Sequence, residues 1–189
     1  MLNRGGTEFQ ARIARIEHAS EHVRTFSPTV VPGLLQTADY ARAIFNSGTL
    51  TPEEIDAAVA GRMDRQELLG TDGHRFTLLT TAGALGWCAG SPTVMAVQAE
   101  RLAAPQPPDV RVGVIPWGTT ATVFPMHTWD IYDQRGVIVG LVSSTALLTS
   151  PQDVAAYDEV FTALERMAVW GDKARAVFAR LADEYRALS

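Results

Sequence analysis

Cysteine and long apolar runs are nearly missing from this chain of 189 residues. Its one cysteine, Cys88, cannot form an internal disulfide, which fits a reducing, cytoplasmic setting. No run approaches the ~18 apolar residues that span a bilayer, and the polar amino end lacks the hydrophobic core of a signal peptide. We therefore expect a cytoplasmic chain that does not contact a membrane, with Cys88 as a small buried hydrophobe.

A broadly basic surface and a phosphate-binding loop are missing as well. The net charge is −5, which argues against a nucleic-acid surface spread over the whole chain. The segment 83–86 contains two glycines but has neither the lysine nor the spacing of a phosphate loop. The sequence therefore predicts no direct nucleic-acid binding and no bound cofactor.

Apolar residues are abundant enough to fill one sizeable core. They make up 47% of the chain, and we find neither an internal repeat nor a clear domain boundary. We expect a single domain over 1–189. Its parts are a helical region over 8–70, a sheet-centred region over 75–145 and a pair of helices over 150–188.

Apolar spacing and capping residues predict helices at both ends of the chain. Residues 8–25 carry apolar side chains near one helical face. Thr37 is a suitable N-cap for a helix that ends near Asn46, and Thr51-Pro52-Glu53-Glu54 has the residues of a capping box. Further helices are predicted to begin at Ser91-Pro92, at Ser150-Pro151 and after Gly171.

The middle of the chain predicts four short strands, over 76–80, 110–114, 123–132 and 137–142. The last of them is apolar on both faces and is expected to be the most buried. Closely spaced strands joined by turns favour an antiparallel or mixed arrangement. The expected fold is α+β, a small central mixed or antiparallel sheet of about four strands flanked by N-terminal and C-terminal helices.

The stretch Val31–Thr37 reads as a rigid, apolar elbow between two helices. Pro32 fixes its own φ, Gly33 permits a tight turn, and the two leucines that follow need burial. Gln36 places a polar side chain at the bend. We expect one enclosed recess beside this elbow, with Gln36 and Tyr40 as ligand-binding candidates.

Three polar residues lie on one side of the third predicted helix. Arg62, Arg65 and Gln66 stand at spacings of three and four, so they could clamp an anion or a carboxylate. A solvated face paired with neighbouring acids is the alternative. All three are ligand-binding candidates.

Aromatic and titratable residues near the strands give a further set of candidates. Trp87, Trp117 and Trp129 could line a ligand cavity, although tryptophans also build cores. His127 and Asp130 could serve acid–base chemistry. Because residues three apart on a strand face opposite sides, these two would not form a direct dyad. A pocket wall or a hydrogen-bonded core position is the alternative for His127.

The segment His18-Ala19-Ser20-Glu21-His22 matches the zinc pattern H-x-x-E-H. On a helix, His18 and His22 would lie one turn apart on one face, with Glu21 close by. A third protein ligand would still be required. The alternative is the exposed polar face of a surface helix.

The elbow also carries a family resemblance. Val31-Pro32-Gly33-Leu34-Leu35-Gln36-Thr37 with Tyr40-Ala41-Arg42 is similar to the signature of a domain of unknown function. That domain follows the helix-turn-helix in actinobacterial regulators of the XRE class, which are WhiJ-like or antitoxin-like. Weaker matching segments follow in the expected order: Arg24-x-Phe26-x-Pro28, Arg62 with Arg65-Gln66, Pro92-x-Val94-Met95, Val114-Ile115-Pro116 and the helix from Tyr157 to Leu164.

The chain also departs from the pattern that this resemblance implies. The regulators carry a DNA-binding helix-turn-helix ahead of the domain, and no such segment is found here. Their acidic residue after the first strand is replaced by the segment Thr81–Leu85. The glutamate that commonly ends their last strand is matched by Val142. If those acids line the family's pocket, this chain has a more apolar one.

Two functions follow from these observations. The first is a regulatory sensing or interaction domain that binds a small-molecule ligand or a small protein partner without touching DNA. The second is a stand-alone biosynthetic enzyme, a cyclase or isomerase, that reuses the scaffold with an apolar pocket. Fold alone does not decide between them, and a homodimer is left open.

Overall fold

The computed structural model describes residues 7–141 and 145–189 and contains a mixed sheet packed between helices. The elements, in chain order, are α1 Thr7–His18, β1 His22–Ser27, a 3-10 turn Gly33–Leu35, α2 Ala38–Asn46, α3 Pro52–Gln66, β2 Arg75–Thr81, a 3-10 turn Ala82–Leu85, α4 Pro92–Ala103, β3 Val110–Ile115, β4 Thr128–Tyr132, β5 Gly136–Gly140, β6 Thr145–Leu148, α5 Pro151–Met167, β7 Val169–Trp170 and α6 Gly171–Arg186.

The described strands form one sheet of seven, in the order β6-β5-β4-β1-β2-β3-β7. β1, β2 and β3 are parallel, and every other neighbouring pair is antiparallel. The prediction of a small sheet of about four strands was therefore wrong, although the fold is α+β. The sequence interpretation missed β1, β6 and β7. The predicted strand over 123–132 is present only from Thr128 onwards.

The first helix is shorter than predicted. α1 ends at His18, and the chain then enters β1, whose residues Val23, Phe26 and Ser27 are buried. The prediction of one helix over 8–25 was wrong. Apolar side chains of β1, such as Val23, continue the apolar spacing of α1, so the sequence shows no break between the helix and the strand. The elbow therefore joins a strand to a helix.

Neighbouring residues of a strand point to opposite faces of the sheet, and helices cover both of these faces. Leu78 belongs to the larger core cluster, which includes residues of α1, α2, α4 and α6. Leu79 belongs to a second cluster under α5, with Phe161 and Trp129. α3 packs on α1 and α2 outside the larger cluster.

The predicted helix starts are confirmed by their caps. Thr37 accepts a hydrogen bond from the backbone N–H of Tyr40. Thr51 and Glu54 form the complete capping box at the start of α3. Ser91 and Ser150 cap α4 and α5 in the same manner. No helix in the described part of the chain is long and apolar enough to cross a membrane.

Candidate functional site

The elbow is a packed structural joint. Val31, Leu35 and Gln36 are buried, and the Gln36 side chain donates to the carbonyl of Val31 at 2.6 Å. Arg62 Nη1 donates to the Gln36 side chain at 2.5 Å, and Gln66 donates to the Gln36 carbonyl at 2.7 Å. Three predicted ligand-binding residues are thus brought together, and they hold the elbow against α3.

Two more of the predicted ligand-binding residues have protein partners. Tyr40 is buried, and its hydroxyl accepts from the backbone N–H of Val31 at 3.2 Å. Burial raises the pKa of Tyr40. Arg65 forms a two-bond pair with Glu17 of α1. The side chains that we expected around a recess fill the interior around the elbow.

The three tryptophan candidates separate in the structure. Trp129 is 1% exposed and packs against Phe26 with ring centroids 4.9 Å apart. Trp87 and Trp117 are 77% and 71% exposed. The three rings therefore do not line one cavity.

His127 and Asp130 also have different surroundings. The Nε2 atom of His127 lies 2.8 Å from the hydroxyl of Tyr157 on α5. Asp130 accepts a hydrogen bond from Thr25 at 2.6 Å. His127 precedes β4 and Asp130 lies within it, and the two side chains have different hydrogen-bond partners.

The zinc pattern does not have its helical geometry. α1 ends at His18, Glu21 follows in a bend, and His22 opens β1. His22 Nε2 lies 3.0 Å from the hydroxyl of Thr77 on β2. In the described ranges, no group of three or more His, Cys, Asp or Glu side chains is placed to hold a metal ion.

A surface that the sequence interpretation missed lies at the carboxyl ends of β1, β2 and β3. The segments 82–91 and 116–127 follow β2 and β3 there and contain no Asp, Glu, Lys or Arg. We call these two segments together the uncharged edge. The charge-free stretches are longer still, 76–99 and 112–129, in a chain with 20% charged residues.

Sheet topology brings the two segments of the uncharged edge together. β1 and β2 lie between β3 and β4, so the loop 116–127 has to pass the carboxyl ends of both. The Trp117 ring lies against the turn after β2, 3.5 Å from where a Cβ on Gly86 would stand. Midway along the loop, the backbone nitrogen of Thr122 donates to the sulfur of Met167 on α5 at 3.3 Å.

Large apolar side chains on the uncharged edge point to solvent. Phe124 is 80% exposed and Met126 is 90% exposed, and the same two segments carry the exposed Trp87 and Trp117. Cys88 is exposed as well, so the prediction that it is buried was wrong. Exposed apolar groups of this size in one region mark sites of association.

A polar cavity of about 460 Å³ lies at the amino ends of β1 and β2, opposite the uncharged edge. Its lining comes from the start of β1, the start of β2 and the turn between β4 and β5. The lining residues are Glu21, His22, Arg24, Arg75, Asp133, Gln134 and Arg135. Another cavity, of about 340 Å³, lies between the α4–β3 connection and the start of α6 and has a more apolar lining.

Burial and charge act on His22 in the polar cavity. Desolvation, followed by the nearby Arg75 and Arg24, lowers the pKa of His22 from 6.5 to about 4. The imidazole is therefore neutral at pH 7. The cavity presents guanidinium groups around a neutral ring, an arrangement suited to hydrogen bonding with an anion.

Comparison of the sequence with known families gives one match, which covers residues 10–180 and is described as "Domain of unknown function (DUF5753)". The chain belongs to the DUF5753 family. No curated protein and no solved structure matches the sequence.

The DUF5753 match includes the elbow, the uncharged edge and the polar cavity. One signal in the sequence could have revealed the uncharged edge: two long charge-free stretches that contain Trp, Phe and Met. Val142, which we aligned with an acidic position of the related regulators, lies outside the described residues.

Proposed function

We propose that this DUF5753 domain is a regulatory interaction module that binds a small protein partner through the uncharged edge. The observation that carries the proposal is the exposure of four large apolar side chains on two charge-free segments: Trp87, Trp117, Phe124 and Met126. The resemblance to the carboxyl domain of XRE-class regulators supports the regulatory role. DNA contact is not part of it.

The composition of the uncharged edge is that of an interface centre. Aromatic residues and methionine are enriched at protein interfaces, and charged residues are depleted from their cores. The Trp117 ring rests on the glycine-containing turn after β2, so it is supported in its exposed position. A supported aromatic ring loses little conformational entropy on binding, which makes it a suitable anchor. The partner should present an uncharged apolar surface with a recess for aromatic rings.

Small proteins encoded beside this gene are the partners to test, each produced in pure form. Isothermal titration should find one that binds, and Trp117→Ala and Phe124→Ala should each weaken binding by about 2 kcal/mol, roughly thirtyfold. Leu188→Ala is the matched control, because Leu188 is 69% exposed but lies near the carboxyl end. Its affinity should equal that of the unmodified protein.

Three results would contradict the proposal, and two of them concern the binding measurement itself. One is that none of the neighbouring gene products binds. The other is that Leu188→Ala weakens binding as much as Trp117→Ala does. Binding to lipid vesicles in place of a protein would assign the uncharged edge to a membrane surface and overturn the proposal as well.

A biosynthetic enzyme of the cyclase or isomerase type is the second candidate, and one contact favours it. The 2.8 Å contact between His127 and Tyr157 places a proton-transfer pair beside the uncharged edge. Burial, with a smaller effect of Asp153, raises the pKa of Tyr157, which keeps the phenol protonated. His127→Ala should then abolish turnover of an apolar intermediate from the neighbouring pathway. Unchanged turnover would remove His127 from the chemistry.

A further inference from the structure

We propose that the polar cavity is a binding site for a small oxyanion, a phosphate or carboxylate group carried by a metabolite. The site lies at the amino ends of β1 and β2, whereas the uncharged edge lies at their carboxyl ends. The proposal is therefore independent of the partner proposed above. It rests on strand register, on the balance of charge and on the space in the cavity.

Strand register places the basic side chains on one face of the sheet. His22 pairs with Arg75, and Arg24 pairs with Thr77, so these four side chains point to the same side. Thr77 pairs in turn with Arg111 of β3. α5 covers this face of the sheet. The cavity of about 460 Å³ lies at the amino ends of β1 and β2. That volume accommodates a metabolite-sized ligand.

Arg24 forms the fixed wall of the site. It is paired with Asp158 of α5, and its Nη2 donates to the carbonyl of Asp133 at 3.3 Å. Its Nε is buried and has no acceptor among the described residues. Arg24 is thus held in place while its donors are incompletely used.

Two further guanidinium groups of the lining have a weak carboxylate partner or none among the described residues. Arg75 is exposed and has no ion pair among the described residues. Arg135 is 79% exposed, and its Nη1 lies 4.0 Å from a carboxylate oxygen of Asp133. An exposed pair at that distance contributes little. Both guanidinium groups line the cavity, where a ligand oxyanion could accept hydrogen bonds from them in the two-bond geometry that arginine favours.

One acid of the lining is already engaged by the backbone. One oxygen of Asp133 accepts hydrogen bonds from the backbone N–H groups of Glu21 and His22, at 3.0 and 2.9 Å. Asp133 also adopts a φ of 52°, so its conformation serves the turn between β4 and β5. Glu21 is exposed to solvent. With Arg24 paired to Asp158, Arg75 is the guanidinium of the lining that has no ion pair among the described residues, and it is the group that a ligand oxyanion would neutralise.

The test measures binding of inorganic phosphate and of malonate by isothermal titration, with sodium chloride at matched ionic strength as reference. At least one of the two should bind saturably. Binding of phosphate alone assigns the site to phosphoryl ligands, and binding of malonate alone assigns it to carboxylates. Arg75→Met should weaken binding tenfold or more. The matched control is Arg180→Met, which removes an exposed arginine of α6, and it should bind as the unmodified protein does.

A second readout is taken on the unmodified protein and does not depend on the folding of Arg75→Met. In the unmodified protein, the His22 ring proton resonances should shift along the same saturation curve as the heat signal. Their assignment follows from the peak that His22→Gln removes. Absence of saturable binding by both anions, equal weakening by Arg75→Met and Arg180→Met, or unmoved His22 resonances during binding would each overturn the proposal.

Discussion

Arg65 and Glu17 join α3 to α1 through two hydrogen bonds, from Nε at 2.8 Å and from Nη2 at 2.5 Å. Their side chains are only 9% and 3% exposed. The hydrogen bond and charge of Glu17 raise the pKa of Arg65 despite its desolvation. This buried pair fixes the helix that in turn holds the elbow through Arg62 and Gln66.

Glu17→Ala should lower the free energy of unfolding by about 3 to 5 kcal/mol, because the buried guanidinium of Arg65 loses the carboxylate that accepts two of its hydrogen bonds. Urea denaturation followed by circular dichroism measures the change. The control is Asp56→Ala, which breaks the exposed pair of Asp56 with Arg42 and should cost at most about 1 kcal/mol. Similar losses in the two variants would contradict the structural role of the buried pair.

Gln98 should be needed for the elbow although it belongs to α4. Its side chain accepts from the backbone N–H of Thr37 at 2.7 Å and donates to the carbonyl of Leu35 at 2.9 Å, and it is fully buried. Gln98→Leu should cost about 2 to 4 kcal/mol, because the buried carbonyl of Leu35 and the half-buried N–H of Thr37 lose their partners. Thermal and urea unfolding measure the loss. The same change at the exposed Gln152 should have almost no effect.

Gly113 should tolerate no side chain while Trp170 is present. A Cβ at Gly113 would stand 2.6 Å from the Trp170 ring, which packs over β3 where β7 pairs with it. Gly113→Ala should therefore cost about 1 to 3 kcal/mol. In a Trp170→Ala background the same change should cost much less. A double-mutant cycle measures this coupling, and additive effects would argue against the predicted clash.

His22 should make stability depend on pH in the acidic range. The pKa of His22 is about 4 in the folded protein and 6.5 for an unperturbed histidine, so the unfolded chain binds the proton first as pH falls. Stability contributed by neutral His22 should be present above about pH 6.5 and decrease as pH approaches 4. The groups that act on the ring are Arg24, Arg75, Arg111 and Asp133.

Urea midpoints between pH 4 and pH 7.5 measure this dependence, and His22→Gln should flatten it. Sulfate, which stays doubly charged throughout, should offset part of the loss in the unmodified protein if it binds the polar cavity. A pH profile unchanged by His22→Gln would show that other groups cause the acid sensitivity.

Cys88 should react with a thiol reagent in the native state, because it is exposed on the uncharged edge. Because Cys88 is the one cysteine of the chain, the native protein should consume one equivalent of reagent, and the Cys88→Ser variant should consume none. A partner bound at the uncharged edge should slow the reaction. An unchanged rate in the saturated complex would place the partner elsewhere.

Local signals predicted the starts of α2, α3, α4 and α5, whereas the end of α1 was predicted wrongly. The caps Thr37, Thr51, Ser91 and Ser150 act within a few residues, so their effect can be read without knowing the rest of the fold.

Elements that depend on distant partners were harder to predict. β1 is short, and only four of its residues, 22–25, alternate between half-buried and buried. Because this stretch continues the apolar spacing of the preceding helix, the sequence did not mark where the helix ends. β7 has two residues and is ordered by its pairing with β3. The roles of Gln36 and Arg62 are set by each other across the elbow, which single-sequence patterns do not reveal.

The central place of β1 has a consequence for synthesis. β1 is made early, yet one of its two neighbours, β4, pairs Tyr132 with Val23 and leaves the ribosome much later. At roughly 5 to 20 residues per second, the nascent chain carries a half-paired central strand for several seconds. An open strand edge is a template for misassembly. This fold therefore stands to gain from chaperone protection during translation.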